Sequence, residues 1–198
     1  MQMISMKSLS VFCASSVGRD PEYVSVASEV GRVLAQKGMR VVYGGSKIGL
    51  MGALADGALE AGGEVVGVLP RFMQDREIAH ENLDELILVD SMQERKLKMH
   101  ELSDGVLTLP GGFGTMEELF EMLTWSQLGL HRKPIGILNV KGYYDHFGRM
   151  IEHMTAEGLL AEKNAALILM HHEVNALLDM MSSFDFNDRP KRMSKHQT

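Results

Sequence analysis

The chain has 198 residues, of which 45% are hydrophobic and 23% charged, and it carries a net charge of −6 with a single cysteine, Cys13. That size and balance suit one soluble domain with a substantial core. The acidic surplus argues against a general nucleic-acid binder, the lone cysteine excludes an intrachain disulfide or a cysteine metal cluster, and no apolar run approaches a membrane span.

The first expected strand is 8–13, SLSVFC. Lys7 and the apolar residues after it could imitate a secretory leader, but the run is short and an alternating strand explains it better. Helix 21–37 follows, then strand 39–43, helix 49–61 and strand 64–69. Strand 86–89, helix 91–103, strand 105–109 and helix 114–128 come next, then strand 134–139, helix 142–157, strand 167–170 and helix 173–182. Apolar strands alternating with amphipathic helices give the fold class: α/β, a Rossmann-like doubly wound parallel sheet with helices on both faces. One catalytic domain is expected over 1–183, with a polar tail over 184–198.

Ligands of such sheets bind where strands pass into helices at the C-terminal edge. Four of these junctions carry unusual residues: CASSVG at 13–18, YGGSKIGLMG at 43–52, LPRFMQDREI at 69–78 and LPGGFGTMEE at 109–118. They are expected to face one crevice. Neither glycine loop fits a dinucleotide fingerprint: Ser46 replaces the second glycine of one and Glu117 the third of the other. Lys47 is followed by Ile48, so the first is not a P-loop either. What remains is general physics, in which glycines bring backbone amides close to an anion and a helix N-terminus adds positive potential. A tight strand-to-helix turn is the plainer reading of one such loop; two at one edge favour phosphate.

Three acids follow the second loop. In a helix beginning near Gly114, Glu117, Glu121 and Thr124 share a line, with Glu118 beside it in the first turn. Acids in a first turn often only suit the helix dipole. Beside a phosphate loop they could instead hold ribose hydroxyls or stabilise a cationic transition state. Helix 91–103 carries Arg95, Lys96 and Lys98, either as a solvated basic face or with Arg95 reaching the crevice to contact phosphate or a purine edge. The adjacent His171 and His172 would point to opposite faces of a strand and so not share a metal; Trp125 and Cys13 read as packing residues.

The motifs taken together are similar to those of a known family. PGGFGTMEE resembles the PGGxGTxxE signature of the Lonely Guy family, once labelled possible lysine decarboxylases, and MQERK and YGGSKIGLMG resemble two further elements of it. The similarity runs from about Ser8 to Leu178. It implies a homodimeric phosphoribohydrolase that cleaves a nucleoside 5′-monophosphate, typically an N6-modified AMP of cytokinin type, into free base and ribose 5-phosphate, with no cofactor. Arg95 and Glu118 match the pair regarded as catalytic. Gly111, Gly112, Gly114 and Thr115 match the phosphate loop; Lys96, Glu117, Thr124 and Glu77 match nucleotide-contacting positions, and Ser15 and Gly45 join the expected substrate-binding set. Ala14, Ser46 and Gln93 depart from residues common in the family.

Under this resemblance Glu118 would stabilise an oxocarbenium-like sugar or orient water, Glu117 would hold ribose hydroxyls, and Arg95 would assist the leaving base or anchor phosphate. Which glutamate does which stays open. A homodimer could use a methionine-rich helical surface of Met92, Met99 and Met122. Two rival readings remain. A pyridoxal-phosphate decarboxylase would need a Schiff-base lysine, for which only Lys47 and Lys96 are near the crevice. A nucleotide sensor or carrier could use the same fold without catalysis. The expected location is cytoplasmic, with no membrane or nucleic-acid partner.

Overall fold

The computed structural model describes residues 4–73 and 79–186. Seven strands form one sheet: β1 Ser8–Phe12, β2 Arg40–Tyr43, β3 Val65–Pro70, β4 Glu85–Val89, β5 Gly105–Thr108, β6 Ile135–Leu138 and β7 Ile168–His171. Every pairing is parallel and the order is β4-β3-β2-β1-β5-β6-β7. The connecting helices are α1 Glu22–Gln36, α2 Gly49–Glu60, α3 Met92–Glu101, α4 Phe113–Gln127, α5 Asp145–Ala156, α6 Glu162–Ala165 and α7 Val174–Ser182. The expected elements are present within a residue or two, except that α5 starts three residues later than expected; α6, a single turn too short to carry a periodic signal, is an addition to them.

Both faces of the sheet are covered, which explains why β1, β3, β5 and β6 are buried along their whole length, while the edge strands β4 and β7 are only partly buried. Alternate residues feed two separate cores. Leu9, Val11, Val41, Tyr43 and Leu107 pack with α1, α2 and α7. Phe12, Val42, Val66, Val106 and Ile137 face the other way, onto Met99 of α3, Leu119 and Met122 of α4 and Phe147 of α5. Burying a side chain of this size contributes roughly 1.5–3 kcal/mol before entropy is counted. Between them the two layers fix α3 and α4 on one face, side by side across the crevice.

Three expectations need correction. Met99 and Met122 are each 1% exposed and belong to the core, so they do not form a methionine-rich surface. His171 and His172 do not diverge: β7 ends at His171, alternation stops there, and the rings stack with centroids 4.4 Å apart. The packed chain also continues past residue 183, since Phe186 is buried and meets Phe184 edge-on at 4.7 Å. Among the described residues no helix is long and apolar enough to cross a membrane.

Candidate active site

The sheet order reverses between β1 and β5, so the loops leaving these neighbours diverge and a crevice opens beyond their C-terminal ends. A cleft of about 300 Å3 occupies this point. Its walls come from Cys13 to Ser16 after β1, Gly44 after β2, Arg95 on α3, and Gly112 to Thr115 with Glu117 and Glu118 on α4. Ser15 is thus at the cleft. Backbone bonds lock the loops together: the Ala14 amide donates to the Pro110 carbonyl at 3.1 Å and the Leu50 amide to the Ala14 carbonyl at 3.0 Å. Gly49 is required at this crossing. Its φ is +65°, and a Cβ there would lie 2.2 Å from the Ser15 carbonyl carbon.

α4 begins at Phe113 with Gly112 as its N-cap, and no side chain caps it. The first amide to find a carbonyl within the helix is Met116, at 3.1 Å from the Gly112 oxygen. The amides before it sit at the positive end of the helix dipole. A Cβ on Gly112 or Gly114 would meet nothing within 4 Å, so both glycines leave that end open. The helix starts earlier than the sequence suggests, and its first turn contains no acid. Glu117 and Glu118 therefore stand in the second turn, beyond the strongest dipole effect, and the dipole does not account for them.

Each glutamate has a cationic partner on α3. Arg95 donates from Nη1 to Glu118 Oε1 at 2.9 Å and from Nε to the Val68 carbonyl at 3.1 Å. Both side chains of this pair are 8% exposed. Gly44 makes the arrangement possible, because a Cβ there would fall 2.0 Å from Arg95 Nη2. One residue on, Lys96 Nζ pairs with Glu117 and also with Glu121, the latter at 3.1 Å. Burial works against the Lys96 charge, yet bonds to the two carboxylates outweigh it and hold the ammonium above its ordinary range. Cys13 is buried beside the pair; desolvation first, then the Glu118 charge, pushes its thiol up, which disfavours a thiolate nucleophile.

The remaining expected residues divide. Thr115 is 4% exposed and lines the cleft, and Gly111 precedes it on the loop. Thr124 is turned away: its hydroxyl donates to its own helix at the Phe120 carbonyl, 2.7 Å, and it does not line the cleft. Gly45, in a left-handed turn at φ +80°, faces Leu69 and Leu86, while its neighbour Gly44 lines the cleft. Glu77 lies outside the described residues. Sequence reasoning also missed the β6–α5 turn. There the Tyr143 hydroxyl donates to the Gly111 carbonyl and the Tyr144 hydroxyl to the Leu109 carbonyl, each at 2.7 Å. Nothing in the sequence marked that turn as a fifth contributor, because it has no glycine loop or acid cluster.

Residues 51–181 match a family model described as "Possible lysine decarboxylase". The cytokinin riboside 5′-monophosphate phosphoribohydrolase of Rhodococcoides fascians is 43% identical over 178 residues, which cover 89% of this chain and 90% of that protein. The chain belongs to the Lonely Guy family. The rice (Oryza sativa subsp. japonica) cytokinin riboside 5′-monophosphate phosphoribohydrolase LOG is also 43% identical, over 80% of this chain and 66% of the rice protein. Among solved structures, the molybdenum cofactor carrier protein of Chlamydomonas reinhardtii shares the fold, with a TM-score of 0.63 and 20% identity over 88% of this chain and 94% of that one. The older decarboxylase wording finds no support in the family member's cleft. Lys96 pairs with two glutamates that hold its ammonium charged, whereas a Schiff base needs a neutral amine, and Lys47 pairs with Glu81 at 3.0 Å and does not line the cleft.

Proposed function

We propose that this chain is a phosphoribohydrolase, hydrolysing the N-glycosidic bond of a nucleoside 5′-monophosphate, an N6-modified AMP of cytokinin type or AMP itself, to free base and ribose 5-phosphate. The observation that carries this reading is the buried Arg95–Glu118 pair beside the uncapped, glycine-flanked start of α4, all in one cleft. The relatives named above are phosphoribohydrolases of cytokinin riboside 5′-monophosphates.

Each part has a chemical task. The amides at the start of α4 receive the 5′-phosphate, with Thr115 closing the loop. This leaves the sugar over the second turn of the helix. As the C1′–N bond lengthens, positive charge grows on C1′ and the ring oxygen, and a carboxylate aimed there in a dry site lowers the barrier. Glu118 fills that role. Arg95 compensates its charge in the resting cleft, orients the carboxylate and faces the departing base. Water adds its oxygen to C1′, and its proton balance is completed on the leaving base. Glu117, more exposed and tethered by Lys96, holds ribose hydroxyls. In the family's usual assembly the protein is a homodimer, a reading supported by the exposed Leu97 on α3 and Phe120 on α4, and it acts in the cytoplasm.

A non-catalytic sensor or carrier on this fold is the rival reading. The carrier structure at 20% identity speaks for the fold alone, and a mere binder has no use for a buried carboxylate at the sugar. Incubating the protein with AMP and with isopentenyl-AMP, followed by chromatography, separates the two. Free base with equimolar ribose 5-phosphate is expected from at least one substrate. Binding of both nucleotides without base release would establish the sensor.

A further inference from the structure

We propose that Tyr143 is a positioning residue, which sets the orientation of one phosphate-binding peptide from the far side of the loop. The inference rests on reading the start of α4 as the phosphate site. The Tyr143 hydroxyl donates to the Gly111 carbonyl at 2.7 Å. In a planar trans peptide, carbonyl and amide point in opposite directions, and among the described residues no peptide is cis. Drawing the Gly111 oxygen toward Tyr143 therefore drives the Gly112 N–H the other way. The surroundings show which way that is. Gly112 borders both the main cleft and a smaller hollow of about 210 Å3, and Tyr143 lines only the hollow. The amide hydrogen is thus turned into the main cleft.

Tyr143 is itself fixed for this task. Lys141 has φ +52° and Gly142 φ +72°, a left-handed pair that folds the chain back toward the α4 loop. Asn139 secures the turn, accepting from the Tyr144 amide at 2.7 Å and donating to Asp145 Oδ1 at 2.8 Å. Lys141 is tied to Asp20 Oδ2 at 2.8 Å and Glu22 Oε2 at 3.0 Å, which anchors the turn to the start of α1. Tyr23 from α1 meets the Tyr143 ring edge-on, with centroids 5.9 Å apart.

The neighbouring tyrosine is an internal control. Tyr144 makes a bond of the same length, but to the Leu109 carbonyl, and the nitrogen of that peptide belongs to Pro110. Proline has no N–H, so holding this peptide offers no donor to a ligand. One hydroxyl aims a donor and the other only packs a strand end.

The test compares Tyr143→Phe and Tyr144→Phe by calorimetric binding of ribose 5-phosphate and of adenine, with denaturation midpoints for each protein. Loss of one oriented bond should weaken ribose 5-phosphate binding by about three- to tenfold in Tyr143→Phe, with adenine affinity and midpoint close to wild type. Tyr144→Phe should lower the midpoint and keep the ratio of the two affinities. Wild-type binding of ribose 5-phosphate with an unchanged Tyr143→Phe, or with both ligands weakened equally, overturns the positioning role and leaves the phosphate site standing. Failure of the wild-type protein to bind ribose 5-phosphate overturns both.

Discussion

Arg95 and Lys96, adjacent on α3, each pair with carboxylates of α4, and in the proposed reading the difference between them separates chemistry from placement. Arg95 and Glu118 are both 8% exposed, and the guanidinium is further pinned by the Val68 carbonyl. Lys96 is similarly buried, but its partners Glu117 and Glu121 are 55% and 25% exposed. Helical spacing produces this split. Glu118 lies a turn beyond the buried Thr115 and faces inward, while Glu117 and Glu121, four residues apart, share the outer line. A carboxylate kept from water acts strongly on a nearby cation, because little solvent screens it. One that is half in water is screened and acts more weakly. Under the proposed reading, adjacent residues on α3 serve two roles because their partners on α4 differ in depth.

Breaking the deep pair should have the largest effect. Arg95→Ala leaves the Glu118 carboxylate buried beside a void, and removing one partner of a buried pair costs roughly 3–5 kcal/mol. A large fall in the urea midpoint is expected together with loss of base release. A variant as stable and active as wild type would mean that the pair is ornamental. The shallow pair should respond more mildly. Lys96→Met keeps the packed stem and lets the half-exposed Glu117 rehydrate, while the more buried Glu121 loses its partner, so stability should fall by about 1–3 kcal/mol, less than in Arg95→Ala. KM for the nucleotide should rise while kcat stays within about tenfold, as expected when binding common to ground and transition states is lost. A collapse of kcat equal to that of Arg95→Ala would erase the distinction between the two pairs.

The fold was legible because most strands are apolar runs flanked by amphipathic helices, and both faces of the sheet are covered. The cleft was legible through its glycines and acids, which a strand-to-helix turn alone does not demand. Other features depended on distance in the chain. The exclusion of a side chain at Gly44 follows from Arg95, fifty-one positions later, whose Nη2 would lie 2.0 Å from a Cβ there. Met99 and Met122 look like exposed methionines in sequence, and only the packing of α3 and α4 on the sheet puts them in the core. Thr124 shares the line of Glu117 and Glu121, but it lies too far along the helix to line the cleft and bonds to its own backbone. The Tyr143 bond to Gly111 spans thirty-two positions and leaves no local pattern.

The central claim is that Glu118, rather than Glu117, acts on the breaking bond. Its most direct test is base release from a nucleoside 5′-monophosphate by Glu118→Gln, with nucleotide binding measured on the same preparation. The amide keeps the shape of the side chain but removes its charge. Base release should fall by at least about a hundredfold, on the scale of losing one preorganised electrostatic group, while AMP still binds within about tenfold of wild type. Full base release by Glu118→Gln would contradict the account and pass the role to Glu117.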